Sequence, residues 1–89
     1  NVIALDSLAV LAGLSRFHFI RAFKATFGTT PHQFVIRQRV TRAIELLIHS
    51  KLTLAEISTA AGFANQQQFT SSFRTATGMA PGQFRRHLV

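Results

Sequence analysis

The sequence predicts an all-α chain in which two helix-turn-helix subdomains are joined by one long linker helix. Three observations carry this. Short stretches of apolar residues at helical spacing are each opened by a capping residue and closed by glycine. One stretch, from about Pro31 to His49, runs on without a breaker. The pattern before it returns after it, about fifty residues later.

Residues 5–12 read as the first helix, with Leu5, Leu8, Ala9, Leu11 and Ala12 as its apolar stripe. Asp6 in its first turn suits the positive end of the helix dipole, and Gly13 is placed to stop it. Leu14 leads into Ser15, an N-cap candidate, and Leu14 with Phe19 stands where a hydrophobic staple belongs. The second helix is expected from about Arg16 to Thr26, with Phe19, Ala22 and Phe23 inside. Arg16, Phe17, Ile20, Arg21 and Lys24 fall outside or at the margin, and Gly28 closes the helix.

Thr30 and Gln33 form a capping box around Pro31, which opens the third helix. Phe34, Ile36, Val40, Ala43, Ile44, Leu47 and Ile48 give it a broad apolar face, with Arg37, Arg39 and Arg42 opposite. It reads as a rigid strut rather than a reader. One of these arginines, Arg39 for preference, is expected to pair with Glu45 or Glu56. Thr53 and Glu56 box the start of a fourth helix, Leu54 to Ala61, ended by Gly62. Asn65 caps the fifth helix, where Gln68 completes another box, and Gly78 closes it. Pro81 begins a short last helix that runs to about His87.

The fifth helix has two faces. Phe69, Ser72 and Phe73 are spaced to meet a core, whereas Gln66, Gln67, Thr70 and Ser71 fall on the other side. That outer face holds no acid, only amides and hydroxyls. Glutamines can pair with adenine N6 and N7, and Arg21 on the second helix can pair with guanine O6 and N7. Phe17 suits either a core or a thymine methyl, and Ile20 is divided in the same way. Thr70 and Ser71 stand among the base readers by position, although their short hydroxyls suit phosphate better. Gln68 suits a cap better than a base. Backbone contacts are expected from Ser15, Arg16, Lys24, Asn65, Gln68 and Arg74, with the helix N-termini adding N–H donors for phosphate.

Composition supports a polyanionic partner. The chain has 89 residues, ten Lys and Arg against three acids, and a formal charge of +7. Nucleic acid comes first and a membrane surface second. At 47% hydrophobic the chain can bury a small core, and nine Phe without Trp or Tyr supply it. The absence of Cys excludes disulfides and thiolate metal sites. His18, His32, His49 and His87 are scattered, so no metal or other cofactor is expected, and three acids with no Ser–His–Asp set argue against an enzyme. No apolar run nears the ~20 residues that span a bilayer, and the opening residues do not read as a signal peptide. The chain starts at Asn1 without Met and is expected to be the end of a longer protein.

In the repeat, Leu5, Leu8, Ala12 and Gly13 match Leu54, Ile57, Ala61 and Gly62 at an offset of 49. Ser15, Phe19, Phe23, Lys24, Gly28, Pro31, Gln33 and Phe34 match Asn65, Phe69, Phe73, Arg74, Gly78, Pro81, Gln83 and Phe84 at an offset of 50. Core, caps and breakers agree. The outer faces differ: Arg16, Phe17, Ile20 and Arg21 stand against Gln66, Gln67, Thr70 and Ser71. Two readers on one scaffold, set for different sequences, have this pattern.

On these residues the chain resembles the DNA-binding domain of the AraC/XylS family of bacterial transcription regulators. The resemblance covers nearly the whole chain. It is most specific at Arg39, Val40, Ala43, Leu47, Ile57, Gly62, Phe63, Phe69, Phe73, Arg74, Gly78, Ala80 and Pro81. Leu14, Ser15, Phe23, Lys24, Gly28 to Pro31, and Phe34 add to it. It implies homeodomain-like units at residues 1–30 and 50–89, a linker helix at 31–49, and an additional helix upstream. It implies two recognition helices in successive major-groove segments of double-stranded DNA. The groove-reading positions fall on Phe17, Ile20 and Arg21, and on Gln66, Gln67, Thr70 and Ser71. Ser71 stands where some relatives carry Arg, and Ile20 cannot hydrogen-bond a base. A bacterial, cytoplasmic, nucleoid-associated protein is implied, with an N-terminal sensor or dimerisation domain and RNA polymerase as further partners. The rival expectation is a helical interaction module that docks polymerase or a sensor domain through Phe17 and Ile20. A repair-methyltransferase accessory domain is a third, although its acceptor chemistry needs a Cys that this chain lacks.

Overall fold

The structure is a computed structural model that describes residues 15–88. The helix expected over 5–12, its Gly13 stop and the Leu14–Phe19 staple lie outside the described residues. Those described form five helices: α1 (Arg16–Phe27), α2 (Pro31–His49), α3 (Leu54–Ala60), α4 (Gln66–Thr77) and α5 (Pro81–Arg86). No strand occurs among them. The chain divides into two compact units between Ile36 and Arg37, within α2.

In the first unit, α1 starts where Ser15 leaves extended backbone and its Oγ accepts the His18 N–H at 3.2 Å. This satisfies one of the free donors of the first turn. The helix runs to Phe27, one residue past the expected end. Gly28 stops it at φ 75°, with its N–H donating to the Lys24 carbonyl at 2.8 Å. A side chain there would meet the left-handed strain that glycine avoids. Phe19 and Phe23 are half-buried, but Ala22 is exposed rather than inside, and α1 has no fully buried residue. Phe23 meets Phe34 edge-on, with ring centres 5.7 Å apart. The box before α2 is closed both ways. Gln33 N–H donates to Thr30 Oγ1, and Gln33 Oε1 accepts from the Thr30 N–H and from the buried Thr29 hydroxyl.

At 19 residues α2 is about 28 Å long. Within the second unit it buries Val40, Ala43 and Leu47. The apolar face is narrower than expected, because Phe34 and Ile48 remain exposed. One of the arginines pairs with Glu45 as expected, but it is not the preferred one. Arg42, not Arg39, pairs with Glu45, at 3.4 Å and in full view of solvent, where such a pair contributes little. Arg39 instead lays its stem against the turn at Gly62, and its buried Nε has no hydrogen-bond partner.

Most of the fully buried side chains among the described residues lie in the second unit. Thr53 and Glu56 close the box on α3, and Ile57 is fully buried. The turn through Ala61 and Gly62 follows, with the Phe63 N–H donating to the Ser58 carbonyl at 3.0 Å. Asn65 Oδ1 accepts the Gln68 N–H at 2.7 Å. Gln68 Oε1 accepts the N–H of Ala64, not that of Asn65, so this cap spans one residue more than the expected box. Phe69 and Phe73 are fully buried, each contributing roughly 1.5–3 kcal/mol through removal from water. Rings run from Phe63 through Phe69 and Phe73 to Phe84, with centres 5.2, 5.8 and 5.5 Å apart. Gly78 closes α4 at φ 85°, and α5 ends at Arg86 with His87 as its cap. Arg85 donates to the Leu52 and Ser50 carbonyls at 2.6 and 3.2 Å, tying α5 to the link before α3.

Candidate nucleic-acid interface

In each unit one helix presents the expected reading side chains. On α1, Arg16, Phe17, Arg21 and Lys24 are exposed and Ile20 is half-buried. Phe17 is 65% exposed, so the core alternative for it does not hold. Its ring carries the Arg21 guanidinium, whose carbon lies 4.1 Å from the ring centre. This cation–π contact joins two residues one helical turn apart and orients the fork of Arg21. The first turn of α1 carries no acid.

On α4, Gln66, Gln67, Ser71 and Arg74 are exposed, while Thr70 and Gln68 are half-buried. Phe69 and Phe73 hold the opposite face of the helix in the core. Gln66 and Gln67 therefore stand in the first turn with no side-chain hydrogen bond among the described residues. Asn65 and Gln68 spend their oxygens on the cap. Their first duty is to set where the helix begins, and any phosphate contact comes from their remaining N–H groups. The first turn of α4 also lacks an acid, so its free N–H donors and dipole face outward uncompensated.

The expected readers thus gather as two sets, one on α1 and one on α4, each built within its own unit. One contact near the first set was not read from the sequence. His18 Nδ1 lies 2.8 Å from Ser15 Oγ, so the cap hydroxyl serves both the backbone and the ring of His18. The spacing of three from the cap is the signal that could have shown it. Among the described residues no three His, Cys, Asp or Glu side chains gather as a metal site. No helix there is long and apolar enough to cross a membrane.

A family pattern described as a helix-turn-helix domain matches residues 8–87. The probable transcriptional regulator LumQ of Photobacterium leiognathi is 32% identical over 93% of this chain and 34% of its own length. A putative AraC-like transcription regulator of Streptomyces lividans is 34% identical over 90% of this chain and 26% of its own. The chain therefore spans about a third or less of the curated relatives it matches. The crystal structure of the DNA-binding domain of AdpA, a global transcriptional factor in complex with a target DNA, superposes with a TM-score of 0.88. It shares 31% identity and covers 98% of this chain and 78% of its own. With the fold, the repeat and these likenesses in agreement, the chain belongs to the AraC-type helix-turn-helix family of DNA-binding domains.

Proposed function

We propose that this chain binds double-stranded DNA sequence-specifically, with α1 and α4 as recognition helices that enter neighbouring major-groove segments. The observation that carries most weight is the division of α4. Two fully buried Phe fix one face, and the other shows uncharged donors and acceptors in a chain of charge +7. A face that only had to stay soluble would carry Glu and Lys. Arg21, Phe17 and Ile20 read one box; Gln66, Gln67, Thr70 and Ser71 read the other. Ser15, Arg16, Lys24, Asn65, Gln68 and Arg74 meet the phosphate backbone. Arg21 accounts for roughly 1–3 kcal/mol of discrimination at a guanine, and a glutamine for as much at an adenine.

The subdomains are residues 1–30 and 50–89, with 31–49 as linker. The protein acts by binding, not catalysis, and works in the bacterial cytoplasm on the nucleoid. Its relatives are several times longer and are named as regulators, which supports a sensor or dimerisation domain elsewhere in the full protein and RNA polymerase as a further partner.

Three variants test the assignment. Arg21→Ala and Gln67→Ala should each relax sequence preference at one box and leave the other intact. Lys24→Ala should weaken all duplexes alike and make the slope of log affinity against log salt shallower by about one. An equal loss on every sequence for Arg21→Ala would remove it from the readers. One observation favours a second reading, a protein-docking module: the 65% exposure of Phe17. Binding to a protein partner that persists at high salt, with no DNA preference, is its signature.

A further inference from the structure

The Phe17–Arg21 contact has a geometry that two independent readers would not need. A guanidinium is a planar cation with its donors on the rim and two flat faces. The Arg21 guanidinium carbon lies over the Phe17 ring, 4.1 Å from its centre. No hydrogen bond or ion pair holds Arg21 among the described residues, so its donors are free to pair. Arg21 as a whole is exposed to solvent. Ile20, next to Arg21 in the chain, is half-buried and has no donor or acceptor.

When such a fork pairs with guanine O6 and N7, the guanidinium lies in the plane of that base. The base stacked on its 5′ side then turns its C5 position toward the guanidinium. Thymine and 5-methylcytosine carry a methyl there, whereas uracil and cytosine carry a hydrogen. We infer that the Phe17–Arg21 stack reads a two-base step, a C5-methylated pyrimidine followed by guanine. Thymine and 5-methylcytosine serve alike at the first position. This rests on the DNA-reading role proposed for α1 and adds to it that cytosine methylation converts a CG step into a recognised one. Removing one methyl from water corresponds to roughly fourfold in affinity.

The test uses the whole 89-residue chain and a duplex recovered by selection from random sequence, with the guanine whose preference Arg21→Ala abolishes as the reference point. Its 5′ neighbour is made thymine, uracil, cytosine or 5-methylcytosine, each with its proper complement. Thymine should bind roughly fourfold tighter than uracil, and 5-methylcytosine should exceed cytosine by the same factor. In Phe17→Ala, which releases the guanidinium, both differences should fall below about twofold. Equal affinity within each pair for the unaltered chain would overturn the step reading while leaving Arg21 as a guanine reader. A selection with no sequence preference at all would overturn both.

Discussion

Glu56 shows how much one surface residue can do through geometry. Its carboxylate accepts the Thr53 N–H at 2.8 Å, while Thr53 Oγ1 accepts the Glu56 N–H at 3.1 Å. The Thr53 backbone hydrogen bond, followed by the bond with the Thr53 side chain, holds the Glu56 carboxyl below its ordinary value of 4.5. A carboxyl whose folded pKa lies below its unfolded one stabilises the fold above the unfolded value. That contribution is lost as pH falls through the folded value. Urea midpoints taken from pH 7 down to pH 3 should therefore fall less steeply below 4.5 for Glu56→Gln than for the unaltered chain; parallel curves would contradict it. Thr53→Ala removes the other half of the box and should lower stability by about 1 kcal/mol at pH 7. This box was legible in the sequence because its partners are three residues apart. Arg85 was not. Its bonds to Leu52 and Ser50 join positions 33 and 35 residues apart, and the matching position in the first half is Val35. No local pattern announces such a tie. Arg85→Met keeps the stem and leaves both carbonyls without their charged donor, which should cost about 2 kcal/mol in chemical denaturation.

Among the elements, α1 and α4 carry the same apolar spacing but are not equally held. The paired rings agree closely: Phe19–Phe23 at 5.9 Å against Phe69–Phe73 at 5.8 Å, and Phe23–Phe34 at 5.7 Å against Phe73–Phe84 at 5.5 Å. Burial does not agree, since Phe69 and Phe73 are fully buried while Phe19 and Phe23 are only half so. Phe69→Ala should therefore cost about 3–5 kcal/mol, and Phe19→Ala distinctly less, by thermal or chemical unfolding. Equal costs would mean that the two inner faces are equally packed in solution. Helical spacing reveals which residues share a face, and it placed the Phe correctly on both helices. It does not reveal how wide the covered stripe is. Ala22, Phe34 and Ile48 were expected inside and are exposed, because the breadth of contact is set by what packs against a helix. Arg39 is structural, as expected, but against a turn rather than a carboxylate, for the same reason. Its place at the Gly62 turn depends on a contact 23 residues away in the chain.

For the molecule as a whole, duplication is the organising fact. Among the described residues, most of the repeated ones fix helix ends or face the core, and the divergent ones sit on the outer faces of α1 and α4, Ile20 and Thr70 half-buried. One half offers a cation and apolar surface, the other amides and hydroxyls. A single anion-binding surface would not require that contrast, because phosphate is the same along the whole duplex and charge alone would serve. Two readers that specify different bases do require it. The contrast could be read from the sequence, since it lies in residue identity. The stack of Arg21 on Phe17 could not, because a spacing of four allows the contact without compelling it.

The central claim, two recognition helices reading two boxes, is tested most directly by selecting duplexes from a random library at near-physiological salt. The expected result is a motif of two short boxes about one helical turn, ~10 bp, apart, with Arg21→Ala erasing only one of them. Retention of DNA without any enriched motif would contradict it, leaving charge as the whole of the interaction.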